Sequence, residues 1–299
     1  MCRSLNLFLL FLIACSLNAY NQEKSFSTEN SIISYQTFGE GSPILIINGG
    51  PGMSSEGFIP LAKLLSKNNT TIVYDQRGTG DSKLKSISSS TITMDLMAKD
   101  IEKLRNHLGY KNWIILGHSF GGMLAYYYAS KFPKNVRAMI QSHSGGMDLS
   151  LITSLDINAR LTASQRDSLQ YYSRKLNRGD TTFQTKLKRG EFLAPAYVYN
   201  KKFVPEIAKR LTQGNRIINS LVWNDLNRIN FDTKPEMSKF LKPVLILQGQ
   251  DDAVPVSISE TADNVLPNSK LIIMDKCGHY GWLDRPDIYL KEVEAFLQE

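Results

Sequence analysis

A chain of 299 residues with 42% hydrophobic and 10% aromatic content carries enough apolar material for a large core, as one big domain or one domain with an insertion. Its formal charge of +7 comes from lysines and arginines scattered along the chain, which argues for a solvated basic surface and against a nucleic-acid partner. Cys2 and Cys15 lie near the N-terminus and Cys277 stands alone in the body, so a core stapled by internal disulfides is excluded.

Residues 1 to 19 read as a signal peptide, because Arg3 precedes an apolar run, Leu5 to Ala14, that is too short to span a bilayer. Cleavage after Ala19 suits an ordinary signal peptidase. Leu12-Ile13-Ala14-Cys15 equally resembles a bacterial lipobox, in which Cys15 becomes a lipidated, membrane-attached N-terminus. Both readings expect export, to the periplasm or beyond the cell.

A first core segment is expected over residues 30 to 144. Ser31 to Phe38 alternates like an edge strand and closes in Gly39-Glu40-Gly41-Ser42-Pro43. Ile44 to Ile47 is apolar throughout, as in a parallel strand buried on both faces, and runs into Asn48-Gly49-Gly50-Pro51-Gly52, whose glycines let backbone N–H groups approach a substrate. Thr70 to Tyr74 is another strand, followed by Asp75-Gln76-Arg77-Gly78-Thr79-Gly80, and Met94 to Leu108 has helical spacing. Trp113 to Leu116 then leads into Gly117-His118-Ser119-Phe120-Gly121, the G-x-S-x-G of a nucleophile elbow, and Met123 to Ala129 reads as helix. Val136 to Ser142 is a further strand. Alternating strands and helices of this kind predict an α/β fold with a mostly parallel sheet covered on both faces.

From 145 to 239 no buried strand is evident, and helical patterns over Ile157 to Leu176, Phe203 to Leu211 and Ile217 to Ile229 predict an inserted helical cap. A cap over a site selects substrate, and Glu191, Glu206 and Trp223 are its candidate contacts, the glutamates for a protonated amine that loses its hydration beneath the cap. The core resumes over 240 to 299 with the strand Pro243 to Leu247, the turn Gln248 to Asp252, a helix over Val256 to Leu266, the strand Leu271 to Met274, the loop Asp275 to Trp282 and a closing helix over Asp287 to Leu297.

A serine hydroxyl is a weak nucleophile near neutral pH and needs a base together with a carboxylate that orients the base. Of four histidines, His107 falls in a helix and His118 adjoins the serine in the turn. His279, in a glycine-flanked loop after the last strand, is the expected base, with His143 the runner-up. Asp251 and Asp252 both follow a strand; Ser119, Asp252 and His279 give the Ser, Asp, His order that accompanies this elbow. No GxGxxG follows a strand, so no cofactor is expected, nor a metal.

These motifs together resemble the proline iminopeptidase group of serine peptidases, within the α/β-hydrolase superfamily. Asn48 to Gly52 is similar to that group's HGGPG, Asp75 to Gly80 to its DQRGxG and Gly117 to Gly122 to its GxSxGG; Asp252, three residues after Gly249, and His279 in Cys277-Gly278-His279 match its acid and base. The resemblance implies oxyanion-hole amides from Gly50 and Phe120, a cis bond between Gly50 and Pro51, and release of N-terminal residues from short peptides. Asn48 stands where the group has histidine, and the cap does not show the acidic cluster that holds a free amino terminus there. A small-ester or amide hydrolase on the same triad is the alternative, and a non-catalytic ligand-binding member the remote one.

Overall fold

A computed structural model describes residues 24 to 150 and 155 to 298; the leader, with Cys15 and its lipobox, lies outside these. The strands are β1 (Lys24–Ser27), β2 (Ser31–Phe38), β3 (Ser42–Ile47), β4 (Asn69–Tyr74), β5 (Lys83–Leu84), β6 (Trp113–His118), β7 (Val136–Ser142), β8 (Val244–Gly249) and β9 (Ser269–Met274). The helices are α1 (Ile59–Leu65), α2 (Met94–His107), α3 (Phe120–Lys131), α4 (Ala163–Asn177), α5 (Phe183–Leu193), α6 (Val204–Leu211), α7 (Arg216–Arg228), α8 (Lys234–Met237), α9 (Val256–Val265), α10 (Gly281–Asp284) and α11 (Pro286–Gln298).

All strands join one sheet in the order β1-β2-β4-β3-β6-β7-β8-β9, with β5 on the side of β2. From β4 to β9 along that order every pairing is parallel; β1, β2 and β5 are antiparallel additions at one edge. The apolar runs of β3 and β6 follow from their place at the centre, with Leu45 opposite Ile72 on one side and Ile115 on the other. Successive side chains point to opposite faces. Leu45, Ile47, Trp113 and Ile115 therefore enter one core beneath α2 and α3, while Ile44, Ile46, Ile114 and Leu116 enter a second beneath α1 and α11. Every residue from Phe120 to Ala129 of α3 is buried, because that helix packs directly on the sheet.

Between β7 and β8 the described chain is helical, with one isolated bridge between Asp148 and Asp232. The helix expected from Ile157 starts at Ala163 instead, where Thr162 and Gln165 form a reciprocal capping box after a 3-10 turn over Asn158–Arg160. Six elements were not expected: β1, β5, α1, α5, α8 and α10. Each is short or polar in sequence and gains its order from a packed neighbour. Among the described residues no helix is long and apolar enough to cross a membrane.

Candidate active site

Ser119 lies at the end of β6 with φ 55° and ψ −122°, outside the regions ordinary residues occupy. Such a conformation costs on the order of 1–3 kcal/mol and persists only where its surroundings enforce it. Here the Ser119 N–H donates to the Ser142 carbonyl at 3.1 Å, and the Ser119 carbonyl accepts from the N–H groups of Gly122 and Gly145 at 2.9 and 3.0 Å. The glycine at 121 is required by close approach, since a Cβ there would stand 2.1 Å from the Ile47 carbonyl oxygen. The elbow thus brings the start of α3 against the end of β3.

His279 stands in the loop after β9, its backbone N–H donating to the Tyr197 carbonyl at 2.7 Å. Its Nδ1 lies 2.8 Å from Asp252 Oδ1, and Asp252 also accepts from Val254 N–H at 3.0 Å and Gln248 Nε2 at 3.1 Å. Burial alone would raise the Asp252 carboxyl, but the charge and hydrogen bond of His279 outweigh it and hold the group below its ordinary value. The neighbouring Asp251 is a turn residue, its backbone N–H donating to the Cys277 carbonyl. His143, the runner-up base, is fully buried at the end of β7, with Ser142 Oγ 3.2 Å from Nδ1 and Cys277 Sγ 3.7 Å from Nε2. Burial pushes its pKa down to about 4. His118 is buried against Phe58, Tyr280 and Trp282, its ring centroid 4.7 Å from that of His279, and His107 stacks on Phe26 at the surface.

The loop after β3 closes on the serine from the other side. A Cβ on Gly49 would come within 2.6 Å of Ser119 Cβ, so only glycine allows this approach. Gly50 and Phe120 both line the cavity above Ser119, and among the described residues neither N–H is spent on an intramolecular hydrogen bond. The Gly50–Pro51 bond is trans, not cis as the resemblance implied. A reverse turn closed by Met53 N–H on the Gly50 carbonyl at 2.9 Å redirects the chain here, with Gly50 at φ 73°. Asn48 holds this loop from within: Nδ2 donates to the Gly49 and Met53 carbonyls, each at 3.2 Å. Its own carbonyl accepts from Gln76 Nε2 at 2.9 Å. The Asp75 to Gly80 motif is therefore scaffolding: Asp75 accepts from Ser55 and Asp81, and Arg77 forms a buried bidentate pair with Asp100 at 2.8 Å.

A model of the alpha/beta hydrolase fold matches residues 42 to 286 of the sequence. The chain belongs to the α/β-hydrolase fold family. Its curated relatives include proline iminopeptidases from Lactobacillus helveticus, 26% identical with 89% of this chain and 94% of that protein covered, and from Saccharolobus solfataricus, 26% identical with 89% and 87% covered. Among solved structures, an α/β fold family hydrolase from Bacillus anthracis superposes with a TM-score of 0.77 at 18% identity, over 92% of this chain and 99% of that one. An esterase from Thermogutta terrifontis superposes with a TM-score of 0.71 at 19% identity, over 93% and 98%. At these identities the solved structures speak to fold alone.

In this α/β-hydrolase a cavity of about 1140 Å³ opens between the sheet and the inserted helices, lined by Ser119, His279, Gly50, Phe120 and Trp223 among others. Glu191 and Glu206 are not part of it. Glu191 pairs with Lys188 at 2.7 Å on another side of α5, and Glu206 is exposed in the first turn of α6, where a carboxylate meets unpaired helix N–H groups. On α5 the residues that line the cavity are Lys186, Arg189 and Leu193, spaced i, i+3, i+7 along one face, and a residue two positions from Arg189 points about 200° away. Among the described residues no cluster of three or more histidines, cysteines or acids could hold a metal ion.

Two residues with positional importance carry no signal in sequence. Arg210 of α6 is buried, lies 4.6 Å over the Phe58 ring and donates through Nη2 to the Gly49 carbonyl at 3.0 Å. Because C=O and N–H point in opposite directions across a trans peptide, holding the Gly49 oxygen turns the Gly50 N–H the other way. Asp284 fastens the other wall, its carboxylate accepting from the N–H groups of Gly278, Tyr199 and Asn200 at 2.8 to 2.9 Å.

Proposed function

We propose that this α/β-hydrolase is a serine hydrolase working through an acyl-enzyme, and that it releases N-terminal residues from short peptides. The observation that carries the reading is convergence at one cavity: a serine on a strained elbow, a histidine fixed by a buried carboxylate, and two unspent backbone amides. Ser119 Oγ attacks the carbonyl while His279 Nε2 takes its proton; the oxyanion is held by the N–H groups of Gly50 and Phe120. His279 then protonates the leaving amine, leaving the acyl group on Ser119. Water, deprotonated by His279, attacks the ester, and collapse releases the acid and restores the serine hydroxyl.

The peptidase half of the reading is supported by the names of the relatives, over most of both chains. A second reading, hydrolysis of small esters or amides, is favoured by the cavity itself, whose lining among the described residues includes no carboxylate to meet an ammonium group. Aminoacyl-naphthylamides, their N-acetylated counterparts and nitrophenyl esters separate the two. The peptidase reading expects the free-amine substrates to be preferred over the acetylated ones by about tenfold or more; equal rates or the reverse order leave an ester or amide hydrolase. Labelling of Ser119 by a fluorophosphonate tests the nucleophile in either case. Export, proposed from residues 1 to 19, is tested by the mass of the mature N-terminus, which begins at Tyr20 or at a lipidated Cys15.

A further inference from the structure

The cavity walls carry Lys186, Arg189 and Arg216, and among the described residues no Asp or Glu. Of the three arginines buried elsewhere, two pair with carboxylates, Arg77 with Asp100 at 2.8 Å and Arg105 with Glu102 at 2.5 Å, and Arg210 is spent on the Gly49 carbonyl and the Phe58 ring. Arg189 is half-buried, yet it makes no ion pair with a described residue; its Nε donates to Ser173 Oγ at 3.1 Å. That bond fixes the guanidinium, and neither Nη group meets an acceptor among the described residues. Arg216, at the start of α7, donates through Nη1 to Asn177 Oδ1, so its fork is also held by a neutral group.

Burial is the larger cost to the Arg189 charge, and the like charge of Arg216 on the same cavity wall adds to it. Like charges gathered in a partly desolvated wall are retained at a free-energy cost that a bound anion offsets. The cationic wall shares its cavity with Ser119 and His279, and Tyr197, whose ring stands 5.5 Å from that of His279, lines it as well. Around it the lining is amide and apolar, including Asn177, Asn219, Leu176, Ile157 and Trp223. This suits an organic acid of moderate size better than a strongly hydrated inorganic anion.

We infer that this wall is an anion subsite and that the substrate carries a carboxylate, gripped by Arg189 with Arg216 and Lys186 beside it while the bond to be cleaved lies at Ser119. The inference rests on the serine hydrolase reading for the word substrate, but the binding site it assigns can be tested without turnover. The carboxylate could be the C-terminus of a short peptide, on the leaving side, or an acid borne by the acyl group.

Two matched pairs distinguish these sources: alanyl-alanine against its C-terminal amide, and the mono-4-nitrophenyl ester of adipic acid against 4-nitrophenyl hexanoate. The expected result is a kcat/KM preference of about tenfold or more for the acid in one pair, weakening as salt is raised. In Arg189→Gln that preference ratio should fall by about tenfold or more, and Arg189→Lys should restore part of it. Arg216→Gln, at an exposed position where folding is not at stake, should lower the same ratio. No preference for the acid in either pair, or an unchanged ratio in both glutamine variants, overturns the proposal. Calorimetric titration of the Ser119→Ala chain with adipate and with adipamide reads the subsite independently of catalysis. Tighter binding of adipate that is lost in the Arg189→Gln background supports the subsite even if no substrate is turned over and the phosphonate fails to label, an outcome that sinks the hydrolase reading alone. Equal binding of the two overturns the subsite.

Discussion

Ser119 contributes little packing, being only partly enclosed at the elbow. Ser119→Ala is expected to keep its fold, by thermal melt, and to lose about 10⁴-fold or more in kcat/KM on any substrate the native chain cleaves. Of the adjacent acids, Asp252 is buried and bonded to His279, while Asp251 is engaged through its backbone. Asp252→Asn should therefore cost about 10⁴-fold in kcat, and Asp251→Asn less than about threefold; the reverse order in steady-state assays would reassign the acid. Arg210 offers a subtler test. Its replacement by methionine leaves an apolar side chain of similar reach to pack over Phe58, in place of the guanidinium, but frees the Gly49 carbonyl, so the Gly50 N–H loses its fixed direction. Loss of one oxyanion donor costs about 10²- to 10³-fold, and Arg210→Met should lower kcat by up to that amount while KM changes little. A rise in KM alone would make Arg210 a substrate contact instead.

At the scale of elements, the site depends on how closely α3 meets the end of β3. A methyl on Gly121 would stand 2.1 Å from the Ile47 carbonyl oxygen and 2.8 Å from that of Asn48. Both are backbone atoms of a central strand and its loop, which cannot swing aside as a side chain could. Gly121→Ala should lose more than about 2 kcal/mol of stability, the range of overpacked cores, read from the urea midpoint; an unchanged midpoint would show that the elbow is softer than its geometry suggests. The inserted helices are tied to the loop after β3 at three points: Arg210 to Gly49, Asn215 N–H to the Gly52 carbonyl at 2.9 Å, and Asn219 Nδ2 to the Pro51 carbonyl at 3.2 Å. These ties link the walls of the cavity to the proposed oxyanion amides.

For the whole molecule, a cluster of buried histidines sets the response to acid. His143 is held neutral by burial, with a pKa of about 4 against an ordinary value of 6.5, and His118 is shifted in the same direction by burial and by His279. A histidine whose folded pKa is depressed takes up its proton more readily when unfolded, so stability is highest above about pH 6.5 and falls as the pH drops toward 4. His143 alone should remove about 2 kcal/mol between pH 7 and pH 5. Urea titrations at the two values check this, and a midpoint that stays level or rises at pH 5 would contradict the burial of both rings. Asp252, whose pKa is lowered, adds to the acid loss only at still lower pH.

The strands at the centre of the sheet and the residues proposed as a triad were readable from sequence because each obeys a local rule. A parallel strand buried on both faces must be apolar at every position, as Ile44 to Ile47 and Trp113 to Leu116 are. A serine lifted from a strand end needs glycines beside it, and Gly117 and Gly121 supply them. What sequence left open depends on which face of an element meets a neighbour. The polar strand β1 exists because Lys24 to Ser27 pairs with β2. Glu191 and Glu206 stood beside aromatic residues in the chain, yet a helix turns successive side chains about 100° apart, and packing of α5 gave the cavity Lys186 and Arg189 while Glu191 met Lys188 outside it. Arg210, one of 35 basic residues, had no pattern to mark it; only the docking of α6 on the loop after β3 placed its guanidinium on the Gly49 carbonyl. The central strands and the order of the proposed catalytic groups were thus set by local chemistry, whereas the sign of charge lining the cavity was decided by tertiary packing, because a side chain's direction is set by what its helix rests against.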